Sequence, residues 1–142
     1  MTRVDFYILP DEDEDRRQVY LCRLVDKAWR MGHRTWIHVP AADHAEALDE
    51  RLWTFSQGSF LPHERADAEA PDDACPIVLG TGDPRGERPL LVNEDAEVPP
   101  FFSRFERVAE VINQDPERKQ AGRSRYAFYR DRGYELHYHK VS

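Results

Sequence analysis

The stretch VDFYILPDEDEDRRQVYLCRLVDKAWRMG, residues 4–32, passes from a short apolar strand into an amphipathic helix. The apolar run 4–9 stops at Pro10, and apolar side chains then recur at helical spacing from 16 to 31. Gly32 is typical of a helix end. The five acidic residues 11–15 favour a solvated loop that leads into the positive N-terminal end of the helix. A strand followed directly by a helix indicates an α/β fold.

The same alternation continues along the chain. The spacing of apolar residues and the Gly and Pro positions predict strands at 34–39, 76–79, 89–93 and 134–141, and helices at 41–57, 99–112 and 116–132. A short extended segment at 59–63 and a polar loop at 64–73 follow the second helix. We therefore predict one domain over residues 1–142, with a mostly parallel sheet and helices on both faces, the three-layer layout of Rossmann-like domains.

The charge of the chain is acidic but unevenly distributed. Its 142 residues include 20 Lys and Arg against 27 Asp and Glu, for a net charge of −7. Residues 1–100 carry a net −10 and residues 101–142 a net +3. The overall balance argues against a general nucleic-acid binder and against docking on an anionic membrane. A basic C-terminal third on an acidic body indicates a local binding surface for an acidic partner.

The first loop lacks the chemistry of a nucleotide site. It has no glycine to cradle phosphate, and it places five carboxylates where phosphate would lie. Gly80-Thr81-Gly82 fits either a turn or a phosphate loop, and the turn is the simpler interpretation. The sequence shows no nucleophile motif or acid–base set, so we predict a protein that is not an enzyme and takes no cofactor.

The cysteines and histidines suggest neither a disulfide framework nor a clear metal site. Cys22 and Cys75 are expected to be small buried apolar residues. His137 and His139 share one face of a strand, which allows a metal pair, but no further ligands are indicated. No apolar run approaches the roughly 18 residues of a membrane span, and no signal-peptide core is present, so a cytoplasmic protein is expected.

One face of the last helix combines cations with an aromatic ring. Lys119, Arg123, Tyr126 and Arg130 fall within one narrow stripe at about 100° per residue. Ile112, at the end of the preceding predicted helix, can add an apolar neighbour. This stripe suits a ligand with negative charge and an apolar anchor. The simpler alternative is a solvated helix whose cations, including a second stripe of Arg118, Arg125 and Arg132, pair with the acidic body.

A second candidate surface surrounds Trp53. This residue lies about 100° from the apolar stripe of its helix and precedes the extended segment Phe60-Leu61-Pro62-His63. Either this segment folds over Trp53 and buries it, or the two form an exposed aromatic patch that docks a protein partner.

Several motifs in this order resemble one known family. They are Ala28-Trp29-Arg30-Met31-Gly32, then Leu48-Asp49-Glu50-Arg51-Leu52-Trp53, then Ser59-Phe60-Leu61-Pro62-His63, and finally Arg123-Ser124-Arg125-Tyr126-Ala127-Phe128-Tyr129-Arg130. Together with the opening strand they resemble the chi subunit of bacterial DNA polymerase III holoenzyme, over essentially the whole chain.

The resemblance implies a non-catalytic accessory subunit of the clamp loader that bridges two proteins. One partner is the acidic C-terminal tail of single-stranded-DNA-binding protein, which ends in an apolar aromatic residue. The implied tail site is Ile112, Lys119, Arg123 and Tyr126, and Arg130 extends it. The other partner is the psi subunit, bound through Trp53, Phe60 and Pro62. Well-known family members carry Lys after the pocket tyrosine, where this chain has Ala127.

Two other functions remain open on the residues alone. One is a small α/β enzyme, or a nucleotide-related binding protein of unknown substrate, that uses His63 or the His137 and His139 pair. The other is direct binding of single-stranded DNA through the last helix, which needs stacking aromatics along a basic groove and is opposed by the net charge. We expect neither a specific DNA contact nor a membrane contact.

Overall fold

A computed structural model describes residues 1–58, 60–66, 75–84 and 86–142. Its strands are Arg3–Ile8 (β1), Thr35–His38 (β2), Glu64–Arg65 (β3), Ile77–Gly80 (β4), Leu90–Asn93 (β5), Arg107–Ile112 (β6) and Glu135–Lys140 (β7). Its helices are Glu14–Arg30 (α1), Ala42–Thr54 (α2) and Pro116–Asp131 (α3), with a 3-10 turn at Phe102–Arg104. Within these residues, no helix is both long enough and apolar enough to cross a membrane.

All seven strands pair in parallel, in the order β3-β4-β2-β5-β6-β1-β7. The predicted parallel sheet is therefore confirmed, and the bounds of the five predicted strands, which correspond to β1, β2, β4, β5 and β7, agree to within one residue. The expected polar loop at 64–73 begins instead with the two-residue strand β3, and positions 67–74 lie outside the described residues.

Alternate residues of the inner strands contribute to two apolar layers, one on each face of the sheet. Leu21 and Val25 of α1 and Leu48 of α2 pack on one face, together with Leu9. Tyr129 of α3 and the phenylalanines near the 3-10 turn pack on the other face. Helices on both faces give the predicted three-layer arrangement, with α3 on the second face, where Tyr126 contacts Phe6 of β1.

The predicted helix over 99–112 is wrong. Phe102 begins a 3-10 turn and Phe105 caps its end, which accounts for their helical spacing, and residues 107–112 form β6. This strand lies between β1 and β5 and is buried on both faces, so its apolar residues Val108, Ala109, Val111 and Ile112 do not alternate with exposed polar ones. Ile112 consequently ends a strand, at the edge of the sheet where α3 begins.

The acidic first loop caps α1 as the sequence predicts. Asp13 accepts hydrogen bonds from the backbone N–H groups of Asp15 and Arg16. Such capping satisfies donors at the helix start that have no partner within the helix.

A buried ion pair lies near this loop, at the carboxyl end of β5. The buried guanidinium of Arg17 donates to both carboxylate oxygens of Glu94 at 2.7 and 2.8 Å, and to the carbonyl of Val111 at 3.2 Å. Burial alone would raise the pKa of Glu94, but Arg17 outweighs it and lowers that pKa to about 2. Open α/β sheets commonly bind ligands at the carboxyl ends of their strands, and beyond the end of β5 this place is taken by the protein's own charges.

Gly80 ends β4 because a side chain would not fit there. A Cβ on Gly80 would lie 2.7 Å from Cζ2 of the buried Trp36 ring. The Gly80-Thr81-Gly82 motif therefore has a packing reason for its first glycine.

The cysteines differ in their surroundings. Cys22 is buried as predicted, and burial raises the pKa of its thiol to about 12. The same prediction is wrong for Cys75, which is only partly buried, and whose Sγ lies 3.4 Å from the carbonyl oxygen of Ile77.

Candidate functional site

A buried polar cluster fixes the rotation of α3 on the sheet. Glu110 of β6 accepts hydrogen bonds from Arg125 Nε at 3.0 Å, Asn93 Nδ2 at 3.1 Å and the Tyr129 hydroxyl at 3.1 Å. Burial raises the pKa of Glu110, and these donors oppose the rise. Because Arg125 and Tyr129 point into the sheet, the face of α3 that carries Arg123 points away from it.

That outward face forms one wall of a cleft of about 520 Å³, here called the α3 groove. The four residues of the predicted stripe and their predicted apolar neighbour all line it, namely Lys119, Arg123, Tyr126, Arg130 and Ile112. The structure therefore brings together side chains from α3 and from the end of β6, which the sequence had placed on two successive helices.

The floor of the α3 groove is apolar. The Tyr126 ring meets Phe6 of β1 edge to face, with centroids 5.2 Å apart. Ile112 is buried beneath the helix at Gly122, where an added Cβ would lie 3.1 Å from Ile112 Cδ1. The glycine thus lets α3 approach the strand end and leaves a slot beside Tyr126.

The rim of the α3 groove is cationic. Lys119 and Arg123 form no ion pair with any residue that the structure describes. Arg130 pairs with Asp131 at 3.1 Å, and both side chains are largely exposed. An exposed pair of this kind contributes at most about 1 kcal/mol, so an incoming carboxylate can compete for Arg130.

The second basic stripe is used within the protein. Arg118 pairs with Glu14 at 3.2 Å, and Arg125 pairs with Glu110. Arg132 lies 3.5 Å over the centre of the Phe128 ring. The prediction that these cations pair with acidic residues of the protein is confirmed for Arg118 and Arg125. Arg132 has an aromatic partner instead.

Sequence reasoning missed part of the groove. Phe6 and Ile8 of β1, Gln114 after β6 and Tyr138 of β7 also line it. Their alternation along strands signals a shared face, but only the strand order places β1 and β7 beside α3.

The Trp53 region is exposed. Trp53 at the end of α2 is 46% exposed and Phe60 is 67% exposed, and their ring centroids lie 5.8 Å apart. Pro62, two residues after Phe60, is partly buried. The alternative in which the segment buries Trp53 is wrong, because the segment runs beside the ring and inserts His63 beneath it. We call Trp53, Phe60 and Pro62 the aromatic surface.

The two histidines of β7 have carboxylate partners. His137 Nε2 lies 2.8 Å from Glu135, and His139 Nε2 lies 2.8 Å from the buried Asp5. Across the described ranges, no group of three or more His, Cys, Asp or Glu side chains is arranged to hold a metal ion. The geometry therefore lends no support to a metalloenzyme at this strand.

These features define a three-layer α/β protein with a parallel sheet. A buried ion pair of the protein lies beyond the end of β5, and a basic groove runs along α3. The fold is shared with the crystal structure of T4 UvsW, at a TM-score of 0.70 and 8% identity, over 99% of this chain and 41% of that one. At this identity, the likeness concerns the fold alone.

Sequence comparison identifies the family. The family described as "DNA polymerase III chi subunit, HolC" matches residues 1–137. DNA polymerase III subunit chi of Pseudomonas aeruginosa is 42% identical over 142 residues, covering 99% of this chain and 98% of that protein. The Haemophilus influenzae subunit is 30% identical over 92% of each chain, and the Escherichia coli subunit 28% identical over 96% of each. The chain belongs to the DNA polymerase III chi subunit family, and it therefore has an accessory role in DNA replication.

Proposed function

We propose that this chain is a non-catalytic bridge within the replication machinery. The α3 groove binds the acidic C-terminal tail of single-stranded-DNA-binding protein, and the aromatic surface binds the psi subunit of the clamp loader. The observation that carries the proposal is the combination, in one cleft, of an apolar slot beside Tyr126 with the cations Lys119, Arg123 and Arg130.

The chemistry of the α3 groove matches an acidic peptide that ends in an apolar aromatic residue. The slot above Ile112 and Phe6 accepts the terminal ring, and Arg123 is placed to grip a carboxylate with two parallel hydrogen bonds. Each charge-assisted contact contributes on the order of 1.5–3 kcal/mol in a buried setting. Exposure and salt reduce these values here, so we expect moderate, salt-dependent affinity.

The acidic body supports selectivity for a protein partner. Outside residues 101–142 the chain carries a net −10, which repels the DNA backbone while the local basic rim still attracts a short acidic peptide. The protein can thus work beside DNA and contact mainly the protein that coats it.

The psi partner is proposed for a separate surface. Trp53 and Phe60 place two large aromatic rings in contact with solvent, which is unusual unless a partner covers them. Aromatic anchors of this kind commonly contribute most of the binding energy of an interface.

The tail proposal is tested with two synthetic peptides, one with the tail sequence and one lacking its terminal aromatic residue. We expect the full peptide to bind in fluorescence anisotropy and the shortened peptide to bind at least tenfold more weakly, because the slot then stays empty. Equal affinities for the two peptides would contradict the proposed use of the groove.

The psi proposal is tested by titrating psi into the wild type and into Trp53→Ala and Phe60→Ala. Both variants are expected to lose at least tenfold in affinity for psi and to keep their affinity for the tail peptide. Undiminished psi binding by both variants would assign psi to another surface.

A further inference from the structure

His63 lies beneath the aromatic surface and is almost fully buried, with 7% of its area exposed. Its ring centre lies 4.2 Å from that of Trp53, at an interplanar angle of 46°. Nδ1 lies 2.6 Å from the carbonyl oxygen of Leu61. Nε2 lies 3.1 Å from the backbone oxygen of Asp49 and 3.2 Å from its carboxylate. The ring therefore links the extended segment to α2 through both of its nitrogens.

The polar partners of this ring among the described residues are oxygen atoms, which accept hydrogen bonds from an imidazole N–H. The two ring nitrogens face Leu61 and Asp49 on different sides, so one side chain contacts both the extended segment and α2. The Trp53 ring packs against the same imidazole.

We propose that His63 is the positioning residue of the aromatic surface. Its ring holds segment 60–63 against α2 through both nitrogens, so that Trp53 and Phe60 are presented together as one preformed contact. This inference rests on the proposed psi-binding role of that surface. His63 is too buried to supply contact area itself, and it acts through the rings above it.

The physical benefit is preorganisation. Phe60 is mostly exposed, and its contact with Trp53 spans 5.8 Å between ring centres. A segment that is not held would have to be ordered when the partner binds, and that ordering lowers affinity. Because the buried ring of His63 holds the segment in the free protein, the segment is already ordered before the partner binds.

The arrangement of the two rings is tested directly in the free, full-length protein. Nuclear Overhauser effects between Trp53 and Phe60 are expected in the wild type and are expected to be lost in His63→Leu. His33, exposed after α1, is the control position, and His33→Gln is expected to keep these effects. Their retention in His63→Leu would overturn the positioning inference.

The positioning role is tested by substitution. His63→Leu is expected to weaken psi binding about tenfold, and His63→Gln less, because Gln keeps a neutral N–H donor. His33→Gln is the matched control and is expected to bind psi as the wild type does. Tail-peptide affinity, measured on the same preparations, is expected to stay within about twofold and so reports an intact fold.

The outcomes separate the two proposals. If the wild type binds psi and His63→Leu binds it equally well, the positioning inference is overturned and the psi assignment stands. If the wild type fails to bind psi, the psi assignment fails. The positioning inference is then decided by the Trp53–Phe60 contact in His63→Leu, whose loss is seen as loss of nuclear Overhauser effects between the rings.

Discussion

Helix α3 carries two sets of cations that look alike in sequence and serve different purposes. Lys119, Arg123 and Arg130 face the α3 groove, whereas Arg118, Arg125 and Arg132 meet a carboxylate or an aromatic ring of the protein itself. The difference arises from what lies opposite each side chain, not from the helix. A cation is available to a partner only where the fold offers it no strong internal counterpart.

Arg125 represents the inward set at its most buried. Its guanidinium donates to Glu110 and to the carbonyl of Ala96 at 2.9 Å. Breaking such a buried pair leaves an uncompensated charge, which typically costs about 3–5 kcal/mol. Exposed cations such as Arg123 contribute far less to folding. The two sets should therefore separate cleanly in mutational tests.

The largest effect is expected for Arg125→Met. This change removes the charge opposite Glu110 and should lower the free energy of unfolding by about 3–5 kcal/mol, measured by urea denaturation. The double variant Glu110→Leu with Arg125→Met is the control and should be more stable than the single variant, because no buried charge remains unpaired. Equal stability of Arg125→Met and the wild type would show that α3 is not held by this pair.

The next effect concerns pH and the buried pair of Arg17 and Glu94. Because the pKa of Glu94 is lowered from 4.5 to about 2 in the folded protein, its stabilising contribution is present above pH 4.5 and is lost as the pH falls towards 2. At roughly 1.4 kcal/mol per pH unit, the loss is about 3 kcal/mol.

Urea denaturation between pH 2 and 7 measures this loss. Glu94→Gln is expected to be less stable at pH 7, since Arg17 is left buried without its counter-charge, and to lose less stability than the wild type on acidification. Identical slopes for the two proteins would place the acid sensitivity elsewhere.

Tail binding by the wild type is expected to weaken with added salt, because its cations are exposed and screened. The stability contributed by the buried Arg17–Glu94 pair is expected to depend much less on salt.

A smaller effect is expected for Arg123→Ala in the outward set. Stability should stay within about 0.5 kcal/mol, while affinity for the tail peptide should fall roughly five- to tenfold, measured by fluorescence anisotropy. Arg23→Ala, at an exposed position of α1 on the other face of the sheet, is the matched loss of one arginine and should leave affinity nearly unchanged. Unchanged binding by folded Arg123→Ala would remove this residue from the tail site.

The smallest effect is expected for Ala127→Lys. The resemblance to the family places a lysine after the pocket tyrosine, and Ala127 is beside the groove without lining it. An added cation there should raise tail affinity about two- to threefold, because it acts through a screened field and not a direct contact. Ala127→Gln, which is similar in length but uncharged, should leave the affinity unchanged. A gain with Gln equal to that with Lys would show that charge is not the cause.

Much of the fold was predictable because its signals are local. The apolar run 4–9, the acidic cap and Gly32 set the first strand and helix, and Pro116 with Gly133 bounded α3. The segment 99–112 was not predictable in the same way, since a strand buried on both faces lacks the alternation that marks other strands. Its environment, between β1 and β5, depends on residues far away in sequence.

The basic stripe of the candidate site was visible from helical spacing alone, whereas its apolar floor was not. Phe6 and Tyr138 reach the α3 groove only because β1 and β7 are neighbours, although more than a hundred residues separate them. The exposure of Trp53 likewise depended on the path of segment 60–63. From the sequence alone, this segment could either cover Trp53 or run beside it.

The sequence by itself determined the strand and helix alternation, the acidic body with its basic C-terminal third, and the spacing of Lys119, Arg123, Tyr126 and Arg130. These follow from neighbouring residues, whose periodicity and charge act over one or two turns. The tertiary structure decided which arginines of α3 face solvent, which side chains floor the groove and how His63 supports Trp53 and Phe60. Those outcomes depend on contacts between segments that are distant in sequence. A buried charge must be paired within the protein, so only the exposed cations remain available to a partner.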